Sequence, residues 1–185
     1  MRILITTALL SFVALAGCST YTPQRYTISA DNNMALKRLG ASNINVGSIK
    51  GVAAFNQTCR VVVGPIAPPD NMTFEGYIQK ALSDELKVAG MFDSISPKVT
   101  LTGQIERLEF SSSRGITGGT WDIELRVVSS NGRSTKISNR YQFESGFRDE
   151  TACKQTAEAF LPAVQDLIGK LISAPEFKAM VSPQG

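Results

Sequence analysis

The chain has 185 residues, with 19 Lys and Arg against 16 Asp and Glu for a formal net charge of +3, and 43% of it is hydrophobic. That length can bury one full core and falls short of two, and near-balanced, scattered charges give no footing for electrostatic nucleic-acid binding. The absence of His removes the commonest general base, and with it every Ser-His-Asp and Cys-His arrangement.

At the N-terminus Arg2 precedes an apolar stretch from Ile3 to Ala14, which ends in Leu15-Ala16-Gly17-Cys18. One positive residue, a short apolar run and small residues before a cleavage point form a secretory signal. The run is too short for a membrane span, which takes roughly 20 residues. The four residues ending at Cys18 resemble the lipobox of bacterial lipoproteins. That resemblance implies a signal peptide over residues 1–17, cleavage between Gly17 and Cys18, and a thioether diacylglycerol on Cys18. It also implies an acylated amino terminus, with palmitate among the chains. Several acyl chains on one residue suffice for a stable hold, since each buried methylene contributes about 0.8 kcal/mol. Ser19, rather than Asp, follows the cysteine; in the sorting rule of enteric-type lipoproteins this implies the outer membrane, with the domain facing the periplasm. The plainer alternatives are an ordinary secretory signal with an incidental Cys18, or an uncleaved helix.

Loss of Arg2 with the signal lowers the net charge from +3 to +2. With Cys18 given to lipid, Cys59 and Cys153 remain as a pair, and an exported, oxidising compartment favours a disulfide between them. Closing a loop of about a hundred residues stabilises a fold by at most roughly 4 to 5 kcal/mol on the chain-entropy model. The alternative is two separate buried thiols. Two thiols and no His are too few for the usual zinc ligand sets, so neither a metal nor another cofactor is expected.

Residues 18–40 are rich in Ser, Thr, Asn, Gln and Tyr and are expected to form a flexible tether, with at most a helical turn over Ala35 to Leu39. A single domain is expected over residues 41–182. Ile44, Val46 and Val52 suggest a first extended segment, and the β-branched run Arg60-Val61-Val62-Val63-Gly64-Pro65 predicts a strand. Phe74, Ile78, Ala81, Leu82 and Leu86 recur at helical spacing from Thr73 to Val88, and Gly90 ends the helix. Val99, Leu101, Gly103 and Ile105 alternate before the phase shifts to Leu108 and Phe110, which predicts one long strand with a bulge near Glu106-Arg107. Trp121 to Val127 alternate next, Asn131-Gly132 signals a hairpin, and Thr135 to Phe143 continue the pattern. Glu150 to Ile172 read as a second long helix that Pro162 kinks or divides. Pro175-Glu176-Phe177 opens a short last one.

This order predicts an α+β or α/β two-layer sandwich, a mixed sheet of about four to five strands with helices on one face. The meander's other face would then be wet or covered by a partner.

No Gly-x-Ser-x-Gly, Ser-x-x-Lys or P-loop motif is present. Asp84 with Glu85, and Asp149 with Glu150, could in principle do acid-base work. Neighbours on a helix point apart, however, and capping and solvation account for these pairs. Arg114-Gly115-Ile116-Thr117-Gly118-Gly119 could cradle a phosphate, but such loops precede a helix; a hairpin tip is the better account. Trp121 is either core or rim. Phe74, Tyr77 and Ile78 either line a groove or pack in the core.

The combination of lipobox, polar tether, strand, helix, meander and final helix resembles small outer-membrane lipoproteins of the YajG type. The most specific stretch is Tyr141-Gln142-Phe143-Glu144-Ser145-Gly146-Phe147, followed by the Glu176-Phe177 step. The layout is more loosely similar to auxiliary lipoproteins of ABC-type lipid transport systems, and to curli-secretion and penicillin-binding-protein activator lipoproteins. These resemblances imply non-enzymatic docking to an envelope protein complex, with the membrane bound through lipid on Cys18. A lipid or small-ligand carrier subunit is the alternative, and a carboxylate-dependent hydrolase a remote one.

Overall fold

A computed structural model describes residues 19–182 apart from residues 53, 61, 62, 115 and 116. The expected signal over residues 1–17, including Gly17, and the expected lipidation site Cys18 lie outside the described residues. The fold is mixed α+β: one four-stranded sheet, in the order β1-β2-β3-β4, carries helices on one face.

Strand β1 (Ile44–Lys50) runs parallel to β2 (Val99–Arg114), from Ile44 opposite Val99 to Lys50 opposite Gln104. Helix α2 (Phe74–Val88) makes the crossover between them. Thr73 caps it through its side chain, and Gly90 follows it at φ +75°. β2, β3 (Gly118–Ser129) and β4 (Ser134–Glu144) form the antiparallel meander, with Gly132 at φ +85° in the second turn. Pairing steps from Ile105 opposite Leu125 to Arg107 opposite Glu124, so Glu106 is the extra residue of a bulge. The bulge reconciles the two halves of the strand. Val99, Leu101 and Ile105 enter the core before it, and Leu108 and the half-buried Phe110 after it.

The opposite face of the meander is charged. Glu106 pairs with Arg126 at 2.6 Å and Lys136 at 2.8 Å, Lys136 reaches Glu124 at 2.7 Å, and Asp122 pairs with Arg140. Alternation along β3 and β4 separates these ions from Trp121, Ile123, Leu125, Val127 and Ile137 beneath them.

The second long helix is divided, as Pro162 leads one to expect, although not at Pro162 itself, and two further expectations change. The long second helix is two, α3 (Asp149–Glu158) and α4 (Phe160–Ser173), followed by the short α5 (Phe177–Met180). The break falls at Ala159, and Pro162 sits in the first turn of α4, where a missing N–H costs little. Of the run from Arg60 to Pro65, the described residues do not extend as a strand: Arg60 takes φ +56°, and Val63 N–H bonds back to Arg60 O at 3.2 Å. Thr58 pairs with Pro65, while Cys59 N–H bonds to Gly64 O and Ile66 N–H to Gln57 O, so residues 57–60 and 63–66 are the two arms of a small hairpin, hairpin 57–66 for short. Val61 and Val62 lie outside the described residues.

The expected tether is folded from Tyr21 onward. Helix α1 (Ala30–Leu39) begins at the Ser29 cap, carries Asp31 in its first turn and Lys37 and Arg38 in its last, and ends at Gly40 with φ +65°, as capping and helix-dipole chemistry favour. Leu36 is fully buried, and Asn32 donates to Gln165 O of α4 at 2.9 Å. Residues 21–29 run as an arm across the body, held where Tyr77 donates to Gln24 O at 2.8 Å and Gln165 to Thr27 O at 2.8 Å. Among the described residues no helix is long and apolar enough to cross a membrane.

Candidate functional site

Of the residues that sequence singled out, Cys59, Cys153, Asp149, Phe74 and Trp121 come together toward one end of the sheet. β1 stops pairing at Gln104, and from Glu106 onward the same edge of β2 has no strand partner among the described residues. Val52 and residues 54–58 pass beside this edge without closing on it. The gap is a groove of about 440 Å³ between Val52, Ala54, Phe55, Asn56 and Thr58 on one wall and Glu106 to Phe110 on the other. A second groove, of about 240 Å³, lies beyond Phe55 and reaches Met72, Phe74 and Glu75. Its floor and that of the first share Val52, Phe55 and Leu108.

Two locks hold the hairpin 57–66 beside the groove. Cys59 and Cys153 are joined by a disulfide across 94 residues of sequence, which ties the hairpin to α3. Arg60 then reaches the end of β2. Its Nε and Nη2 donate to Ser112 Oγ and Ser112 O at 3.2 and 3.1 Å, and its Nη1 donates to Phe147 O at 3.0 Å and pairs with Asp149. Ser112 O also accepts from Ser145 Oγ. The left-handed backbone at Arg60 aims the guanidinium inward and so ties three segments together. A β-branched run around one arginine gave no sign of this in sequence.

Beneath the groove lies an aromatic cluster. Phe55 packs on Phe74 at 4.9 Å between centroids, Phe74 on Phe160 at 5.0 Å, Trp121 on Phe160 at 4.7 Å and Phe110 on Trp121 at 5.0 Å. Trp121 is a core residue, fully buried with its indole N–H on Thr156 O at 2.8 Å. Phe74, Tyr77 and Ile78 are core as well, each at most 3% exposed, although Phe74 shows one edge to the second groove. Offset and edge-on contacts of this kind add about 0.5–1.5 kcal/mol per pair beyond burial, so the groove has a stiff floor.

The carboxylate pairs are drawn apart. Asp84 bonds Lys80 and Lys87 on the exposed side of α2. Glu85, expected to be solvated, is instead fully buried, and its Oε1 accepts from the Tyr26 hydroxyl at 2.6 Å and from Ser29 N–H at 2.9 Å. Asp149 and Glu150 open α3, with Asp149 spent on Arg60. The glycine-rich segment joins β2 to β3; of its residues, Gly115 and Ile116 lie outside the described ones. Gly119 lets the Phe143 ring lie flat over the backbone, where a Cβ would come within 2.3 Å of it. Among the described residues, no group of three His, Cys, Asp or Glu side chains is placed to hold a metal ion.

No family model matches the chain, and no curated protein matches it. Among solved structures it is similar to protein XCC0632 of Xanthomonas campestris, described under the family DUF330, at 15% identity and a TM-score of 0.53 over 83% of this chain and 92% of that one. A protein of Caulobacter crescentus CB15, described as a candidate lipoprotein, aligns at 14% identity and a TM-score of 0.41 over 84% and 98% of the two chains. The PelC dodecamer of Paraburkholderia phytofirmans aligns at 13% and 0.31 over 76% and 92%. The likeness to XCC0632 is one of fold.

Proposed function

We propose that this chain is a lipid-anchored outer-membrane lipoprotein that works without catalysis, as a docking subunit for an envelope protein complex. The observation that carries the docking role is the groove along the unpaired edge of β2. An exposed strand edge offers backbone donors and acceptors to an extended segment of another protein, which adds as a further strand while pockets beside it select side chains. The walls suit that use, because the disulfide and Arg60 fix one side and the aromatic cluster fixes the floor. Glu106, Arg107 and Glu109 along the rim favour a polar peptide over an acyl chain.

Anchoring at the outer membrane rests on Leu15-Ala16-Gly17-Cys18 and on Ser19 after it. Kinship with YajG-type lipoproteins rests on the stretch Tyr141 to Phe147, which forms the end of β4 and the approach to α3. The carrier alternative draws on the same two grooves.

Photo-crosslinkers placed at Phe55 and at Glu109 of the full chain test the reading in cells. A single protein captured in stoichiometric yield from both positions, and not from exposed Val88 on α2, supports docking. Phospholipid extracted with the purified protein and no captured protein replaces docking with the carrier reading. The anchor is tested by Cys18→Ala, which is expected to release the chain from the membrane fraction; an N-terminal peptide of the parent chain that carries no acyl mass overturns it.

A further inference from the structure

We propose that the end of the domain bearing Ser19, Gly64 and Phe147 lies directly on the lipid bilayer, with the Phe147 ring set among the lipids. The inference deepens the anchor reading and rests on lipidation of Cys18.

Its first ground is the place of Ser19 in the fold. Ser19, the residue after Cys18, packs its carbonyl onto Gly64 so closely that a Cβ there would lie 2.1 Å from the oxygen. Two residues on, Tyr21 N–H donates to Pro65 O at 2.9 Å and Tyr21 O accepts from Ala67 N–H at 3.0 Å. The slack that a tether of some twenty residues would provide is therefore absent. Lipid on Cys18 would hold the hairpin 57–66 within a residue's length of the headgroups, about 3.5 Å of extended chain.

The second ground is Phe147. Gly64 O accepts from Cys59 N–H, and the neighbouring Arg60 donates to Phe147 O, so Phe147 belongs to the same end of the domain as Ser19. It is 72% exposed, yet its backbone is fixed. Ser145 bonds to Ser112 O and to Thr117 O, and Gly146 N–H donates to the Gln155 side chain at 2.7 Å. Single exposed apolar residues are ordinary. A large ring on rigid backbone at the end of the domain that holds Ser19 is placed to enter the boundary layer of a membrane, where amphipathic proteins set such rings. The flanking charges are balanced, with exposed Arg114 and Arg148 against Glu144 and Glu150, so the contact is apolar rather than electrostatic.

The fold supplies its own control. Ile95 is 93% exposed and lies in the turn before β2, whereas Phe147 lies near that strand's far end. A strand of 16 residues separates them by about 50 Å.

The test uses the full chain, processed in bacteria and reconstituted into vesicles whose phospholipids carry brominated acyl chains. Phe147→Trp and Ile95→Trp are compared after subtraction of the Trp121 signal of the parent chain, and the mass of each N-terminal peptide is measured. The expected result is an acylated peptide, a blue-shifted and strongly quenched Trp at 147, and an unquenched Trp at 95. In acylated protein, an unquenched Trp at 147 overturns the proposal: red emission leaves the ring in water, and blue emission puts a protein surface over it. Equal quenching at both positions overturns it too. A peptide without acyl mass overturns the anchor reading, and the orientation falls with it.

Discussion

The hydroxyl of Tyr26 donates 2.6 Å to a carboxylate oxygen of Glu85 that is wholly shielded from water. Ser29 N–H shares that oxygen, so one buried side chain of α2 holds both ends of the segment leading into α1. Tyr26→Phe is expected to cost about 1–3 kcal/mol, the penalty for leaving a buried acceptor short of its donor. Faster amide exchange across residues 21–29, with the sheet unchanged, is the measurement that checks it.

The same phenol sets an alkaline limit. Burial raises the Tyr26 pKa above its ordinary 10.0, and the adjacent Glu85 raises it further. The stabilisation is therefore complete below pH 10.0 and is lost as pH climbs above that value, where the unfolded chain ionises first. Burial raises the Tyr77 pKa as well. Denaturation between pH 9 and 11 should show a smaller loss of stability in Tyr26→Phe than in the parent, with Tyr77 supplying the remainder; equal losses would count against the assignment.

Reduction of Cys59–Cys153 should weaken the fold by at most about 4.7 kcal/mol, the loop-entropy figure for a closed loop of this size. The loss should be local at first. Hairpin 57–66 keeps Arg60 as its link to the end of β2 and Tyr21 on Pro65, whereas the meander keeps its whole ladder. Urea melts with and without reductant give the magnitude, and exchange mapping shows whether the hairpin opens ahead of the sheet.

Two glycine substitutions separate backbone strain from crowding. Gly132→Ala meets nothing within 4 Å and pays only for φ +85°, whereas Gly64→Ala adds a collision with the Ser19 carbonyl to φ +120°. The expected costs are about 1 kcal/mol for the first and about 1–3 kcal/mol or more for the second. Thermal melts of the two variants give the order.

On the charged face, hydrogen bonds from Lys136 and then Arg126 hold the Glu106 carboxyl below its ordinary 4.5. What this pair contributes to stability is present above pH 4.5 and fades as pH falls through the depressed value. Lys136→Met should move the Glu106 titration back up, read by carboxyl carbon shifts. An unmoved titration would show the pair to be open in solution.

The spacing of apolar residues in α2 and the alternation in β2 to β4 made both elements, and the bulge, legible in the sequence. Glu85 could have been found the same way, since it stands three, four and seven residues beyond Leu82, Ala81 and Ile78 on the buried side of the helix. The arm over residues 21–29 could not. Its hold comes from Tyr77, Glu85 and Gln165, groups in distant parts of the chain, and its own polar composition reads as solvated. Arg60 misled for a related reason: the disulfide at Cys59 and the guanidinium's contacts, both long-range, accompany a left-handed backbone there that a strand does not use.

Removal of Glu106 would leave Ile105, Leu108 and Phe110 on the core side, because Arg107 would take the outward place of the lost residue and pairing with β3 would run on unbroken. Removal of Thr102 from the regular part of β2 would turn Val99 and Leu101 out into water. The strand can thus lose a residue at this bulge but not from its regularly paired stretches; a second irregularity lies between Ser111 and Arg114. What the extra residue adds is bend and twist at the place where β2 leaves β1 and the groove begins. A chain shortened by Glu106 alone would keep its core while losing the shape of its groove, which separates folding from recognition in a single residue.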